Sequence, residues 1–248
     1  MSIDCELTSL LSANPRITVL TGSGVSAESG IPTFRDALTG LWEKFSPEEL
    51  ATPAAFQANP SLVWRWYAWR RELIARAQPN PAHFTLSRMQ ARIPGFTLLT
   101  QNVDGLHQRA GSVDVVEYHG NITRSRCSRP GCLRDAPGGE GEPPLCPACQ
   151  APLRPAVVWF GESIPAYAHL KATEASEDCD LFIAIGTSAM VYPAAGLAEL
   201  AKSRGARFLE INLEKTPLSG LADFRLQGPA ARMLPELEQA VWPGVKTL

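Results

Sequence analysis

The most constraining feature of this chain is a short apolar run that leads directly into a glycine-rich turn. Residues 16–21, Arg-Ile-Thr-Val-Leu-Thr, predict a buried strand, and Gly22, Gly24 and Ala27 follow at the G-x-G-x-x-G/A spacing. This spacing permits a tight backbone turn whose free N–H groups approach a pyrophosphate closely. The pattern alone has low specificity, because similar turns also occur without a ligand. It predicts a phosphate site at the start of an α/β fold.

The residues after this turn differ from those of an ordinary dinucleotide-binding dehydrogenase. Such a fold continues through a helix into a second strand, which carries an acidic residue about 20 positions on. Here Gly30 and Pro32 stop the helix almost as it begins. Thr33-Phe34-Arg35-Asp36 then places an aromatic ring and a cation in a loop. The sequence therefore favours a phosphate site but argues against hydride transfer by the usual design.

Size and charge limit the classes of protein that fit. The chain has 248 residues, 45% of them hydrophobic, which is enough for one large domain with a sizeable core. A formal charge of −2 gives no general attraction to nucleic acid or to anionic lipid. No apolar run is long enough to span a bilayer, and the N-terminal residues are acidic rather than basic. We expect a cytoplasmic monomer with no nucleic-acid or membrane partner.

Apolar runs alternate with helical stretches along the chain. The continuous hydrophobicity of the runs indicates parallel strands covered on both faces. These predicted strands are Ile17–Leu20, Phe96–Leu99, Val113–Val116, Leu181–Ile185 and Phe208–Ile211. Predicted helices cover 5–12, 60–77, 81–92, 167–177, 193–204 and 232–240. The alternation predicts a Rossmann-like, doubly wound parallel α/β sheet in one catalytic domain, with a mostly helical insertion at 30–80 and a small module at 127–155.

Small or polar groups follow each predicted strand, where the carboxyl ends of parallel strands meet at one edge of a sheet. Strand ends face solvent and are often polar, which accounts for part of this pattern. Most of these groups, however, are uncharged hydrogen-bonding groups suited to riboses and amides, so we predict one long dinucleotide crevice. The groups are Gly22-Ser23-Gly24, Gln101-Asn102-Val103-Asp104, Glu117-Tyr118-His119-Gly120, Gly186-Thr187-Ser188 and Asn212.

Among the four histidines, His119 alone lies at a predicted strand end beside a glycine. A histidine facing the crevice is a candidate general base near neutral pH, with a plain structural role as the alternative. His83 and His169 fall inside predicted helices and are expected to be structural, and His107 is expected to open a helix.

Four of the six cysteines form two close pairs on turn-forming sequence. Cys127 and Cys132 are separated by four residues, and Cys146 and Cys149 by two. This spacing predicts a tetrahedral zinc site, with two disulfides as the alternative. Four thiolates leave no open coordination position, so the zinc is expected to be structural. Cys5 and Cys179 are expected to be ordinary buried thiols.

Taken together, these motifs resemble the sirtuin family of NAD-dependent protein-lysine deacylases almost from end to end. Ser23 replaces the family's usual alanine, and the first cysteine pair is spaced more widely than usual. Neither departure removes a needed donor, acceptor or ligand. The resemblance rests on residues 22–35, residues 100–107, His119-Gly120, the four cysteines, residues 157–162, Gly186-Thr187-Ser188 and Asn212.

The resemblance implies that NAD is consumed as a co-substrate. It places Gly22, Ser23 and Gly24 at the pyrophosphate. Gln101, Asn102 and Asp104 are implied to surround the nicotinamide ribose. The residues implied to lie near the adenosine are Gly186, Thr187, Ser188 and Asn212. Phe34 is implied to shield the ribose and Arg35 to position the loop. The remaining residues implied to contact NAD are Ser26, Ala27, Glu28, Thr33, Val103, Leu213, Glu214 and Ala230.

The resemblance also implies the chemistry. The acyl-lysine carbonyl oxygen attacks the ribose and expels nicotinamide, and His119 deprotonates a ribose hydroxyl. The products are lysine, nicotinamide and O-acyl-ADP-ribose. Val158, Trp159, Phe160, Gly161 and Glu162 are implied to form a strand that pairs with the extended acyl-lysine peptide. From the residues alone, the favoured interpretation of this segment is a plain connector leaving the cysteine module.

One helical face carries a residue that does not match its neighbours. Val63, Tyr67, Arg70 and Ile74 follow helical spacing, and Arg70 interrupts an otherwise apolar and aromatic stripe. A guanidinium there is costly unless an anion pairs with it. Tyr67 and Arg70 resemble the Tyr-x-x-Arg pair of the sirtuin branch that removes succinyl and malonyl groups. The alternative is that Arg70 pairs with a local acidic residue and Tyr67 only packs.

Two other functions remain open on the sequence. One is an NAD-dependent oxidoreductase, which would produce NADH rather than free nicotinamide. The other is a zinc-containing binding module without catalytic activity.

Overall fold

The structure, a computed structural model, describes residues 3–32, 47–132, 135–137 and 142–244. Its strands are β1 (Ile17–Thr21), β2 (Phe96–Thr100), β3 (Val116–Glu117), β4 (Gly120–Cys127), β5 (Asp135–Pro137), β6 (Leu153–Val157), β7 (Leu181–Ile185), β8 (Arg207–Asn212) and β9 (Phe224–Gln227). Its helices are α1 (Cys5–Ser12), α2 (Pro47–Leu50), α3 (Pro53–Ala58), α4 (Pro60–Arg76), α5 (Pro81–Arg92), α6 (Leu106–Arg109), α7 (Ala166–Asp178), α8 (Gly196–Ser203) and α9 (Ala230–Val241).

A parallel sheet in the order β3-β2-β1-β7-β8-β9 forms the centre of the fold. The chain builds outward from β1 to β3 on one side and from β7 to β9 on the other. The direction of winding therefore reverses between β1 and β7. Open α/β sheets bind ligands at this switch point, beyond the carboxyl ends of the strands. The predicted doubly wound sheet is confirmed.

Helices cover both faces of the sheet. Leu7 of α1, Leu86 of α5 and Leu234 of α9 are fully buried in one apolar cluster with alternate strand residues. Ala172 of α7 and Ala198 of α8 belong to the cluster on the other face. Because both faces are covered, every residue of β1 and β7 is buried, which explains their continuous apolar sequences. None of the described helices has the length and apolar content needed to cross a membrane.

Two edge strands differ from the prediction. The strand predicted over 113–116 is reduced to Val116–Glu117, because Val113 is 63% exposed and Asp114 has a positive φ of 49°. The edge strand β9 was not predicted, although its alternating sequence Phe-Arg-Leu-Gln is typical of a half-buried strand. Edge strands are harder to recognise because they are short and only one face is packed.

Other elements match the prediction to within a few residues. The helix predicted over 193–204 begins only at Gly196, after a series of turns. His107 lies in α6, which opens at Leu106. Cys179 is buried as expected, but Cys5 is exposed, because it lies at the solvent side of the first turn of α1.

The two predicted insertions pack against each other. Helices α2–α4 share an apolar cluster with the antiparallel sheet β5-β4-β6, through residues such as Val63, Ile122 and Val157. Trp64 of α4 is fully buried against Cys127 and Cys146. The zinc module and the helical insertion therefore support each other, and β4 begins at Gly120, before the predicted boundary at 127. Residues 33–46, with Thr33, Phe34 and Arg35, lie outside the described part of the chain.

A buried ion pair between Arg88 and Glu238 joins α5 to α9. The Glu238 side chain is 3% exposed and accepts hydrogen bonds from Arg88 Nε at 2.9 Å and from Arg88 Nη2 at 2.5 Å. Removing one partner leaves a buried charge uncompensated, so Arg88→Met is expected to cost about 3 kcal/mol in free energy of unfolding. Urea denaturation measures this cost.

The matched control is Arg232→Met, because Arg232 pairs with Glu236 on the surface of α9, where the side chains are 67% and 39% exposed. Exposed pairs contribute less than about 1 kcal/mol. Equal losses in the two variants would contradict the proposed contribution of the buried pair.

Candidate functional site

The ends of β1 and β7 touch backbone to backbone at the switch point. Gly22 N–H donates to the Ile185 carbonyl at 2.9 Å, and Gly24 N–H to the Gly186 carbonyl at 2.8 Å. A Cβ on Gly22 would lie 2.7 Å from Thr187 Cα, and a Cβ on Gly24 2.7 Å from Gly186 Cα. Both glycines are therefore required for this approach, which brings the turn and residues 186–188 to one place, as predicted.

After the glycine turn, two single 3₁₀ turns at Ser23–Val25 and Ala27–Ser29 replace a full helix. Gly30 ends the second turn with a φ of 78°, as the sequence predicted. Ser26, between the two turns, donates a hydrogen bond to Asp104 Oδ2 at 2.8 Å and accepts one from Asn102 Nδ2 at 2.9 Å. The β1 turn and the loop after β2 are thus held together by a single hydroxyl.

Asp104 is 5% exposed, and Leu106 N–H donates to its Oδ1 at 2.9 Å. Burial raises the pKa of Asp104, while the hydrogen bonds from Leu106 and Ser26 act in the opposite direction. Val103, next to it, accepts a hydrogen bond from Ile122 N–H and ties this loop to β4.

His83 lies directly behind the site, a position that the sequence analysis did not foresee. Its Nδ1 accepts a hydrogen bond from Asn80 N–H at 3.2 Å, so the ring proton is on Nε2, which is 3.4 Å from Ser26 Oγ. Burial lowers the pKa of His83 to about 4, so the ring is neutral at pH 7. No local sequence signal marks the contact of His83 with Ser26, because the sequence around His83 is that of an ordinary first helical turn.

Polar side chains link the ends of β2, β7 and β8 in a continuous row. Gln101 Nε2 donates to Thr187 Oγ1 at 3.0 Å, and Asn212 Nδ2 donates to the Thr187 carbonyl at 2.8 Å. Leu213 N–H donates to Asn212 Oδ1, and the Leu213 side chain is 58% exposed. The strand ends therefore meet to form the predicted crevice. Ser188 directly follows Thr187 in the chain, and Glu214 directly follows Leu213.

Glu28 is placed at the start of α9, beside Ala230. Its carboxylate accepts a hydrogen bond from Ala231 N–H at 2.8 Å. A negative charge at a helix N-terminus is stabilised by the helix dipole. Glu28 and Ala230, predicted separately as cofactor contacts, are thus brought together by this cap.

His119 follows β3, as predicted, and is half-buried. Its Nδ1 is 3.1 Å from the Gln101 carbonyl oxygen. Because a carbonyl can only accept, Nδ1 carries the proton and Nε2 has the free lone pair. Burial lowers the pKa of His119 below its ordinary value, although the hydrogen bond to Gln101 opposes this shift. His119 is therefore a neutral imidazole at pH 7 whose basic nitrogen is Nε2.

Tyr67 and Arg70 lie side by side on α4, near the loop after β2. The guanidinium carbon of Arg70 is 5.9 Å from the centre of the Tyr67 ring and 5.0 Å from that of Trp66. Burial lowers the pKa of Arg70, and its electrostatic interactions with Tyr67 and Asp104 oppose that shift. A small cavity beside Arg70 is lined by Ile31, Pro32, Leu73 and Ile74.

The segment Val158–Glu162 does not form the predicted strand. Strand β6 ends at Val157, and Gly161, with a φ of 84°, lies in a turn. The N–H groups of Val158 and Phe160 donate to His119 and Ala51 carbonyls. Within this segment, the Gly161 N–H is the one without a partner among the described residues. The segment is therefore not a strand of this chain's own sheets, and its pairing with an acyl-lysine peptide stays a prediction.

Glu162 turns its carboxylate into the protein. It accepts hydrogen bonds from both terminal nitrogens of Arg154 and, at 2.9 Å, from Trp159 N–H. Arg154, whose side chain is 7% exposed, was missed by the sequence analysis. A cation inside the apolar strand Leu153–Val157 is itself a signal of a buried carboxylate partner, and it could have identified this pair.

The four cysteines converge as the spacing predicted. Their sulfurs all lie within 4.8 Å of one another, with separations of 3.4 Å for Cys127–Cys149 and 3.7 Å for Cys132–Cys146. Sulfurs at the corners of a tetrahedron around zinc, each about 2.3 Å from the ion, are about 3.8 Å apart. The cysteines therefore fit one zinc ion and fill its coordination shell.

The Sir2 family model matches residues 22–193. An NAD-dependent protein deacylase of Methylococcus capsulatus is 48% identical over 250 residues, covering 97% of this chain and 98% of the relative. One of Aquifex aeolicus is 54% identical over 221 residues, covering 88% and 92%. A crystal structure of a Sir2 homologue in complex with NAD is 43% identical, covers 97% of this chain and 94% of its own, and superposes with a TM-score of 0.90.

Removing the metal is expected to unfold the small module and to loosen α4, since Trp64 of α4 packs on Cys127 and Cys146. A structural zinc contributes several kcal/mol to folding, so Cys146→Ser is expected to lose zinc and to lower the melting temperature by about 10 °C or more. Elemental analysis and thermal melting measure both effects.

Cys179→Ser is the control, because Cys179 is a buried cysteine outside the cluster. It is expected to keep the metal. Full zinc retention in Cys146→Ser would contradict the four-cysteine site.

Proposed function

The chain belongs to the Sir2 family and is an NAD-dependent protein deacylase, and we propose that it removes succinyl and malonyl groups as well as acetyl groups from lysine side chains. The observation that carries this proposal is the pair of Tyr67 and Arg70 on one face of α4. Its partners in this proposal are acyl-lysine proteins or peptides, on which it acts as a monomer.

NAD in this proposal is consumed as a co-substrate and supplies the ribose that receives the acyl group. Its pyrophosphate is held at Gly22, Ser23 and Gly24, and its adenosine near Gly186-Thr187-Ser188 and Asn212. Gln101, Asn102 and Asp104 surround the nicotinamide ribose. The uncharged hydrogen-bonding groups at these strand ends suit riboses and amides. The similarity to a Sir2 homologue in complex with NAD supports this placement.

His119 is proposed to accept the proton of a ribose hydroxyl at Nε2. The supporting observation is the contact of Nδ1 with the Gln101 carbonyl, which leaves Nε2 unprotonated. The acyl group then passes to the sugar, so that the products are free lysine, nicotinamide and O-acyl-ADP-ribose. A triply substituted Sir2 homologue in complex with 2′-O-acetyl ADP ribose, 41% identical to this chain, is consistent with that product.

The acidic acyl group is proposed to bind at α4. Val63, Tyr67 and Ile74 of this face are buried, so Arg70 places a positive charge next to an apolar and aromatic surface. A distal carboxylate could form a bidentate pair with the guanidinium. An acetyl group is smaller and fits the same space without using this contact.

Release of free nicotinamide without NADH is the result that separates this activity from an NAD-dependent oxidoreductase. A binding module without catalysis would release neither. Mass spectrometry of acetylated and succinylated peptides incubated with NAD distinguishes the three functions.

Arg70→Met is expected to lower kcat/KM for a succinyl-lysine peptide by about 100-fold, because the carboxylate loses a charge-assisted bidentate contact. The loss for the corresponding acetyl-lysine peptide is expected to be much smaller. Arg65→Met on the exposed face of α4 is the control and is expected to change neither value. An equal loss on both substrates in Arg70→Met would refute the role of Arg70.

His119→Ala is expected to reduce kcat on every acyl-lysine peptide by about 100-fold or more, the usual effect of losing a general base. In the wild-type enzyme the base must be unprotonated. We therefore expect kcat/KM to have its full value above the pKa of His119 and to fall as the pH drops through that pKa. Because burial lowers that pKa, the acidic limb is expected below pH 6.5, the ordinary value for histidine.

The profile is measured as kcat/KM from pH 5 to 9, with His169→Gln as the control, since His169 is exposed on α7. We expect the control to keep the limb. A limb centred above pH 7 would contradict the assigned protonation state.

A further inference from the structure

We propose that Trp159 is a positioning residue for acyl-group specificity, whose indole N–H directs the Tyr67 hydroxyl to donate to an acidic acyl group. This inference rests on the proposed function and deepens it.

The contact between the two side chains fixes the direction of a hydrogen bond. Trp159 Nε1 lies 2.9 Å from the Tyr67 hydroxyl oxygen, and each residue is 2% exposed. An indole nitrogen can only donate, so the Tyr67 oxygen is the acceptor in this pair. The phenolic proton of Tyr67 must therefore point to another atom.

Within the described part of the chain, that proton has no acceptor. The bond from Trp159 is the hydroxyl's one hydrogen bond among these residues. Burial raises the pKa of Tyr67, so the hydroxyl keeps its proton throughout the working pH range. A buried O–H without an acceptor is costly, and a ligand that supplies an oxygen recovers that cost.

The chemistry of the missing acceptor distinguishes acyl groups. The terminal carboxylate of a succinyl group offers oxygen lone pairs to Tyr67 and a negative charge to the neighbouring Arg70. A butyryl group of the same chain length ends in a methyl and offers neither. Without the indole N–H, the Tyr67 oxygen would itself be free to accept, and its proton would no longer be directed toward the acyl group.

The indole is held from several sides. The guanidinium carbon of Arg154 lies 3.3 Å from the centre of the Trp159 ring, and Arg154 Nη2 donates to the Val157 carbonyl at 2.9 Å. Glu162 binds Arg154 and also accepts the Trp159 backbone N–H. The Phe56 ring packs at 5.4 Å. Trp159 is thus fixed in a rotamer that presents Nε1 to Tyr67.

The test is a double-mutant cycle with Tyr67→Phe, Trp159→Phe and the double variant, each assayed on succinyl-lysine and butyryl-lysine versions of one peptide. The readout is the ratio of kcat/KM for succinyl to that for butyryl, which cancels a general loss of activity. We expect the ratio to fall about 10-fold in Tyr67→Phe and about 5-fold in Trp159→Phe, mostly through KM for the succinyl peptide. Because Trp159 acts through Tyr67, the double variant should show no further fall.

Trp242→Phe is the matched control for removing an indole, because Trp242 lies at the end of α9 near Arg92. It is expected to leave the ratio at its wild-type value. If thermal melting shows that Trp159→Phe is unfolded, Trp159→Met takes its place, since Met also lacks the N–H and adapts to irregular space.

The proposed function and the role of Trp159 fail in different ways. If the wild-type enzyme shows no preference for succinyl over butyryl, and Arg70→Met has no effect, both are overturned. A wild-type preference that depends on Arg70 but is unchanged by Trp159→Phe would overturn the inference alone. Additive losses in the double variant would also overturn it, because Trp159 would then act independently of Tyr67.

Discussion

The close backbone contact between the ends of β1 and β7 is the constraint on which the rest of the site depends. Gly22, Gly24 and Gly186 meet with less space than a single Cβ would require. This contact fixes the switch point of the sheet, and the parallel register then aligns the ends of β2 and β8 with it. Gln101, Thr187 and Asn212 can form their row of hydrogen bonds only because those strand ends are level.

In three buried side chains, the hydrogen bond made by one polar atom determines where the proton of the group lies. His119 donates from Nδ1 to a carbonyl and so keeps a basic Nε2, whereas His83 accepts at Nδ1 and so keeps its proton on Nε2. Tyr67 accepts from an indole and so retains a proton to donate. Burial lowers the pKa of both imidazoles and raises that of the phenol, which keeps all three groups neutral near pH 7.

The zinc module contributes to the site through packing rather than through coordination chemistry. Four cysteines fill the ion's coordination shell, which leaves no position for a substrate. The buried indole of Trp64 joins the module to α4, and α4 carries Tyr67 and Arg70. Strand β6 leads from the same module into Trp159 and Glu162. A structural ion thus fixes both sides of the proposed acyl pocket.

The sequence by itself determined the features whose signals are local. The continuous apolar strands, the glycine turn and the polar group at each strand end are each marked by a few neighbouring residues, and the cysteines by two close pairs. The structure brings the strand ends together at one edge of the sheet and the four cysteines into one cluster, as predicted. Only the tertiary structure decided the turn at Gly161, the short β3, the shared core of the two insertions, and the Arg154–Glu162 pair. It also decided the bond from Trp159 to Tyr67, which joins residues 92 positions apart. Local sequence cannot specify such contacts, because the direction of a buried hydrogen bond depends on which elements pack against each other.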